Sequence, residues 1–279
     1  MHGKRFLRSL AITIGLAAVG FYRPEFLMFA LLGAVYFGLF PLVDSAFALL
    51  RRVERLTVSD LNASLVNDQL FQIWLLNKPT TWLKVGVGVL AVVFALQTWV
   101  DAGNTGRVTS ASLQGAALVR DSVLSGGEWW RLVTTGLMHG NVFHILFNGM
   151  ALFSLGRVIV ALVSPSLLGF VFLVTVITGS LARLWLGSAP VSVGASGGIL
   201  GLLGFLLVVT HKFKGQLPDY LQANLIQSTI VVAIFGLLGA RFIDNAAHAG
   251  GLVGCVILGL CWLPAMRLSP STTSLGIRL

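Results

Sequence analysis

Long apolar segments without charged side chains occupy most of the chain after residue 80. Six of them contain no Asp, Glu, Lys or Arg: 85–100, 132–156, 158–182, 184–211, 220–240 and 245–266. A helix needs about 20 mostly apolar residues to cross the hydrocarbon core of a bilayer. The segments do not alternate between apolar and polar residues, as the strands of a membrane barrel would. The pattern therefore predicts six transmembrane helices, at 83–100, 141–161, 167–186, 196–211, 223–240 and 246–264.

Two further apolar stretches, 9–22 and 26–43, precede these helices and predict an N-terminal helical hairpin. The first also resembles a signal peptide, because basic residues come before it; we favour an uncleaved helix. The predicted fold is thus an all-α polytopic membrane protein with a six-helix core and one or two extra N-terminal helices. Its parts are a hydrophobic hairpin or anchor at 1–50, a partly helical cytoplasmic connector at 51–82, the core at 83–266 and a cytoplasmic tail at 267–279.

Composition leads to the same class of protein. Hydrophobic residues make up 56% of the chain, charged residues only 10%, and the mean hydropathy is +0.88. A soluble domain carries about 25% charged residues, so this chain has too few to cover a water-exposed surface.

The net charge of +9 comes from basic residues placed between the apolar runs. Lys78 and Lys84 precede the first predicted core helix, Lys212 and Lys214 follow the fourth, and Arg267 follows the sixth. Because Lys and Arg in short loops favour the cytoplasmic side, both termini are expected there, in a bacterial plasma (inner) membrane. This arrangement does not predict nucleic-acid binding, and the sequence contains no Gly-rich phosphate loop for a nucleotide.

Polar side chains inside apolar segments mark the candidate chemistry, because a polar group in a bilayer is costly without a function or a partner. His144, Asn148, Ser196 and His248 lie within the predicted helices, and His139 lies just before the second. In the predicted topology all five are near the non-cytoplasmic helix ends. His144 and Asn148 are four residues apart and share one helix face.

The serine is surrounded by small residues, in Gly194-Ala195-Ser196-Gly197-Gly198, and His248 is followed by Gly250 and Gly251. Small residues let two helices approach closely in a membrane, so a crossing of these helices would bring an imidazole to a serine hydroxyl. Serine becomes a nucleophile when a base removes its proton. His144, Asn148 and the Ser196 backbone N–H are candidate donors to the oxyanion that then develops.

Other interpretations of these residues remain open. A serine in a membrane helix often serves only in packing, and His139, His144 and His248 together can be read as metal ligands. Asp244, one turn before His248, is either the third member of a catalytic triad or an N-cap residue that pairs with Arg241; we favour the second.

Five motifs in chain order resemble the rhomboid family of intramembrane serine proteases. They are Glu128-Trp129-Trp130-Arg131, Leu137-Met138-His139, His144-Ile145-Leu146-Phe147-Asn148, Gly194-Ala195-Ser196-Gly197 and Ala247-His248-Ala249-Gly250-Gly251. The resemblance spans roughly residues 85–265, and that family has a six-helix core.

The resemblance implies a Ser–His dyad that needs no metal or other cofactor, with Ser196 as nucleophile and His248 as general base. It places His144 and Asn148 at the oxyanion site. The supporting residues that it implies are His139, Gly194, Gly197, Trp130, Arg131 and Gly251. It also implies that the partners are transmembrane protein substrates, cleaved in or near the lipid bilayer at a site open to the non-cytoplasmic side.

Two positions depart from the family pattern. Leu200 replaces an aromatic residue one turn after the serine, and Cys255 replaces a glycine four residues after Gly251. Neither change removes a reacting group. The alternatives to a protease are a weak or inactive rhomboid-like protein that binds membrane clients and a membrane transporter, although the chain shows no repeat symmetry typical of transporters.

Overall fold

The computed structural model describes residues 7–15, 18, 58–102, 111–187, 190–239 and 243–262, with backbone only for 58–65 and 260–262. The chain divides into two compact units, Met1–Val66 and Asn67–Leu279. In the first unit residues 7–15 are helical. The rest of the predicted N-terminal hairpin and the predicted tail at 267–279 lie outside the described residues.

The elements in chain order are α1 (Val58–Leu76), α2 (Thr81–Ala102), α3 (Ala111–Ala116), β1 (Leu118–Val119), α4 (Arg120–Leu124), α5 (Arg131–Thr134), α6 (Val142–Leu162), α7 (Pro165–Leu186), β2 (Val191–Ser192), α8 (Ser196–Lys212), α9 (Asp219–Leu238) and α10 (Asn245–Trp262). Each of the six segments predicted as core helices is helical in the structure, as α2 and α6 to α10. The largest difference is at α9, which begins at Asp219 rather than 223. An acidic residue in the first turn suits the positive end of the helix dipole, which explains the earlier start.

Four of the described helices, α2, α6, α7 and α9, are long and apolar enough to cross a membrane. The apolar helix α8 is shorter, with 17 residues, and at a rise of about 1.5 Å per residue it spans roughly 26 Å. Most of its residues are buried around its whole circumference, as expected of a central helix. It packs mainly against α7 and α10, so protein rather than lipid surrounds much of it.

A two-stranded antiparallel sheet connects the loop after α2 to the segment before α8. Leu118 pairs with Ser192 and Val119 with Val191. Thr135, in the same loop, adds a second connection because its hydroxyl donates to the Ser192 carbonyl at 2.8 Å. The backbone immediately upstream of α8 is therefore fixed by residues more than 50 positions earlier.

Arg131 holds this long loop together from the inside. Its side chain is only 4% exposed, and its two terminal nitrogens donate to the carbonyls of Ala117 and Gln114, each at 2.6 Å. Its Nε forms an ion pair with Glu128. Hydrogen bonds from a charged donor are stronger than neutral ones, so a single guanidinium ties the end of α3 and Glu128 to the start of α5. Trp130, its neighbour, is 54% exposed.

A buried glutamine fixes the backbone just before α6. Gln97 of α2 donates from Nε2 to the His139 carbonyl at 2.6 Å, and its Oε1 accepts from the His139 N–H at 3.1 Å. The His139 ring is fully buried, and its Nδ1 donates to the Leu137 carbonyl at 3.1 Å in the neutral tautomer. Burial, together with the nearby His144, lowers the pKa of His139 from 6.5 to about 4.

The arginine network makes a prediction about stability. Arg131→Ala removes a charged hydrogen bond to the buried Ala117 carbonyl and a second one to the less buried Gln114 carbonyl. It should lower the free energy of unfolding by about 1.5–3 kcal/mol, mainly because the Ala117 carbonyl loses its donor. Arg120→Ala, at an exposed arginine of the same loop, is the matched control and should change it by less than about 0.5 kcal/mol. Reversible unfolding in mixed detergent micelles measures both, and equal effects would contradict the role given to Arg131.

The buried histidine makes a prediction about pH. Because the pKa of His139 is about 4 in the folded protein and 6.5 ordinarily, the unfolded chain binds the extra proton between these values. Its contribution to stability is therefore complete above pH 6.5 and declines as the pH falls towards 4. His139→Gln should make the pH dependence of the unfolding free energy shallower in this window, whereas His211→Gln, at an exposed histidine, should not. An unchanged slope in His139→Gln would contradict the assignment.

Candidate active site

Ser196 is the first residue of α8. The residue two positions before it, Gly194, has a backbone conformation and surroundings that leave no room for a side chain. Gly194 has φ +123°, a conformation that residues with a Cβ rarely adopt. A Cβ at this position would also lie 2.6 Å from Cε1 and 2.7 Å from Nε2 of His144. The Gly194 N–H donates to the Thr135 carbonyl at 2.9 Å. The loop thus brings its backbone directly against the His144 ring.

His144 and Asn148 converge on this backbone from α6. Asn148 is 7% exposed, and its Nδ2 lies 3.6 Å from the position of a Cβ at Gly194. Within the described part of the chain this Nδ2 has no hydrogen-bond acceptor. Buried donors normally have a partner. The unpaired Asn148 amide beside the Gly194 backbone is therefore available to donate a hydrogen bond to an acceptor atom of a bound molecule.

The helices of Ser196 and His248 touch through their backbones. A Cβ at Gly197 would lie 3.3 Å from the Ala247 carbonyl oxygen, and a Cβ at Gly251 would overlap the Gly197 carbonyl. Gly197 follows Ser196 and Ala247 precedes His248. The crossing that the small residues predicted is therefore present, at the residues adjacent to the two candidate catalytic groups.

The two side chains themselves are not hydrogen-bonded. Among the described residues no hydrogen bond joins the Ser196 hydroxyl to the His248 ring, and the buried Nδ1 of His248 has no partner. Catalytic hydrogen bonds are often long in enzymes without substrate. The fold thus brings the two residues into one region without forming the bond that a dyad uses.

Asp244 makes contacts that suit a helix cap. Its Oδ1 accepts from the Ala247 N–H at 3.0 Å, as an N-cap side chain does. Its Oδ2 accepts from the Ser192 hydroxyl and pairs with Arg183 Nε at 3.1 Å. No described hydrogen bond connects this carboxylate to the His248 ring. The ion-pair partner is Arg183, and the sequence-based partner Arg241 lies outside the described residues.

The remaining candidate residues surround this centre. The rings of His139 and His144 meet edge to face, with centroids 5.1 Å apart. Cys255 is fully buried and its Cβ would be 3.5 Å from a Cβ at Gly204, so its small side chain lies within the α8–α10 contact. Leu200 is 8% exposed. No group of three or more His, Cys, Asp or Glu among the described residues is placed to hold a metal ion.

A small polar cavity of about 10 Å³ lies beside the loop, lined by Thr135, Ser180, Ser192, Gly194 and Gly197 among others. This volume suits about one water molecule. The Thr135 and Ser180 hydroxyls already donate to backbone carbonyls of Ser192 and Leu132. Sequence reasoning missed Gln97, Thr135, Ser180, Arg183 and Ser192, because isolated polar residues in apolar runs give no sign of their partners.

Comparison with known proteins identifies the family of this chain. A family profile described as Rhomboid domain matches residues 126–265, which is half of the chain and contains every candidate site residue. Rhomboid protease GluP of Bacillus subtilis (strain 168) is 33% identical over 178 residues, which are 63% of this chain and 34% of that protein.

Two plant proteins are also similar. RHOMBOID-like protein 9, chloroplastic, of Arabidopsis thaliana is 27% identical over 187 residues, 66% of this chain and 42% of that protein. RHOMBOID-like protein 1 of Arabidopsis thaliana is 31% identical over 156 residues, 53% of this chain and 38% of that protein. The chain thus spans less than half the length of these relatives. On the match to the Rhomboid domain, the chain belongs to the rhomboid family.

Proposed function

We propose that this chain is an intramembrane serine endopeptidase that hydrolyses peptide bonds of transmembrane substrates in or near the bilayer. The observation that carries the proposal is the backbone contact between Gly197 and Ala247, next to Ser196 and His248. It brings the backbone beside the proposed nucleophile, Ser196, against the backbone beside its proposed base, His248. The names of the similar proteins support the same class of reaction.

In the proposed mechanism the Ser196 hydroxyl attacks the substrate carbonyl while the His248 ring takes its proton. The tetrahedral intermediate collapses when His248 gives that proton to the leaving amine, which frees the new N-terminus. A water molecule then attacks the acyl-enzyme ester, again losing its proton to His248. The second tetrahedral intermediate collapses as its bond to Ser196 Oγ breaks and His248 gives the proton to that oxygen, which releases the acid and restores the hydroxyl. No metal or other cofactor enters these steps.

The oxyanion of each tetrahedral intermediate would be bound from α6. The His144 ring and the unpaired Asn148 Nδ2 both face the Gly194 backbone, so a carbonyl oxygen placed beside Ser196 meets two donors. Preorganised donors of this kind are often the largest single contribution to catalysis. The first turn of α8 adds backbone N–H groups that have no partner within the helix.

The membrane arrangement is part of the proposal. All six core helices, including the shorter α8 and α10, would lie in the membrane, in a core at 83–266 preceded by the hydrophobic hairpin or anchor and the cytoplasmic connector. Basic residues at alternate helix ends support cytoplasmic termini and a site open to the other side, in a bacterial plasma membrane. A substrate helix hides its carbonyls within its own hydrogen bonds, so segments that unwind easily are the preferred substrates.

One observation favours a second function, binding of membrane clients with little or no hydrolysis. Ser196 and His248 share no hydrogen bond in the described structure, and Leu200 gives the histidine no aromatic partner one turn after the serine. Ser196 and His248, the two residues that hydrolysis needs, are nevertheless present in the sequence. Direct measurement of serine reactivity separates the two functions.

Ser196 should react with a fluorophosphonate probe in detergent micelles. Wild type is expected to be labelled, and Ser196→Ala and His248→Ala to lose the label, because one lacks the nucleophile and the other its base. Ser166→Ala, at an exposed serine of α7, is the matched control and should label like wild type. Folded wild type that resists the probe, or a Ser196→Ala protein that is still labelled, would refute the nucleophile assignment.

Removal of an oxyanion donor should slow cleavage of a transmembrane substrate in liposomes. His144→Ala and Asn148→Ala are each expected to lower kcat by about 10²–10³-fold with little change in KM, since the donors act mainly on the transition state. Asn224→Ala, at an exposed asparagine of α9, serves as control. A rise in KM at constant kcat would indicate a role in substrate binding instead.

A further inference from the structure

Three elements meet at the carboxylate of Asp244. Arg183 comes from α7, Ser192 from β2, and the Ala247 N–H from the first turn of α10. The contacts use both carboxylate oxygens, so the orientation of the group is fixed as well as its position.

The residues that Asp244 holds are next to the proposed catalytic pair. Ser192 lies four residues before Ser196, and Ala247 immediately precedes His248. The Ala247 carbonyl in turn packs against Gly197 and Gly179, where added Cβ atoms would lie 3.3 Å and 2.8 Å from its oxygen. Ala247 is thus fixed at its N–H by Asp244 and at its carbonyl by the neighbouring helices.

Burial makes this ion pair difficult to break. Arg183 is 7% exposed and Asp244 19% exposed, and removal of one charge would leave the other in a poorly solvated place. The chain also leaves space for the arginine, because a Cβ at Gly187 would overlap the Arg183 guanidinium. A carboxylate used only as an N-cap would not need a buried arginine from another helix.

We propose that Asp244 is a positioning residue, which with Arg183 and Ser192 sets the start of α10, and hence His248, against the loop that carries Ser196. This inference rests on the proposed protease function. It differs from a catalytic triad, because the carboxylate acts through the Ser192 hydroxyl and the Ala247 N–H and not through the imidazole ring.

The test compares Asp244→Asn, Ser192→Ala and Ser192→Thr in the full-length protein. Asp244→Asn and Ser192→Ala should slow fluorophosphonate labelling of Ser196 by about 10–10²-fold, the effect of a displacement of roughly 1 Å. Ser192→Thr keeps the hydroxyl and should label close to the wild-type rate. The double variant Asp244→Asn/Ser192→Ala should be labelled no more slowly than Asp244→Asn alone, because both changes break the same connection between Asp244 and Ser192.

The control is Thr210→Val, which removes a buried hydroxyl at the far end of α8 that donates only within its own helix. All rates are measured at temperatures where each variant is fully folded. If Asp244→Asn does not fold, Ser192→Ala against Ser192→Thr decides the question. Variants that are less stable but label at the wild-type rate would show a merely structural role and overturn the proposal.

Hydrogen exchange provides a readout that does not need activity. In Asp244→Asn, and more weakly in Ser192→Ala, backbone exchange should accelerate together in residues 191–198 and 244–250. Faster exchange in only one of these segments, or in neither, would overturn the proposed connection. Failure of the protease function is distinguishable, because wild type itself would then show no labelling that depends on Ser196.

Discussion

The backbone contact between α8 and α10 is the constraint on which the rest of the site depends. Gly197 and Gly251 meet without side chains between them, so the two helices approach more closely than any larger residues permit. Ser196 and His248 lie one and three residues from these glycines. Residues so far apart in the sequence can form one chemical unit only if this crossing is kept, and α7 supports it from the other side through Gly179.

Several buried polar side chains in the described part of the chain are paired across segments that lie far apart in the sequence. Arg131, Gln97, Thr135 and Asp244 all end on backbone or charged partners that belong to other segments. Unpaired polar groups are costly in an apolar environment. The network therefore fixes the long loop after α2, the segment before α8 and the start of α10, while among the described residues three buried side-chain atoms, His139 Nε2, Asn148 Nδ2 and His248 Nδ1, have no hydrogen-bond partner.

Hydropathy predicted the positions of the core helices closely, because a helix that crosses lipid needs about 20 mostly apolar residues with few or no charged side chains. The close crossing of α8 and α10 was accessible from sequence through the small residues on both helices, and the family resemblance is confirmed by the match to the Rhomboid domain. Hydrogen-bond and ion-pair partners that lie far apart along the chain could not be predicted from the sequence. Asp244 pairs with Arg183, a partner that the sequence did not suggest, since the tertiary packing of α7 decides this and leaves no periodic signal in the sequence; the suggested partner Arg241 lies outside the described residues.

The most direct measurement of the central claim is a crystal structure, grown from a lipid phase, of the chain with an organophosphonate bound. The account predicts that the phosphorus is bonded to Ser196 Oγ, that a ring nitrogen of His248 lies within about 3.2 Å of Oγ or of the leaving-group position, and that the phosphoryl oxygen points towards His144 and Asn148. A His248 ring turned away by more than a few ångströms, or a phosphonate on any other side chain, would contradict it.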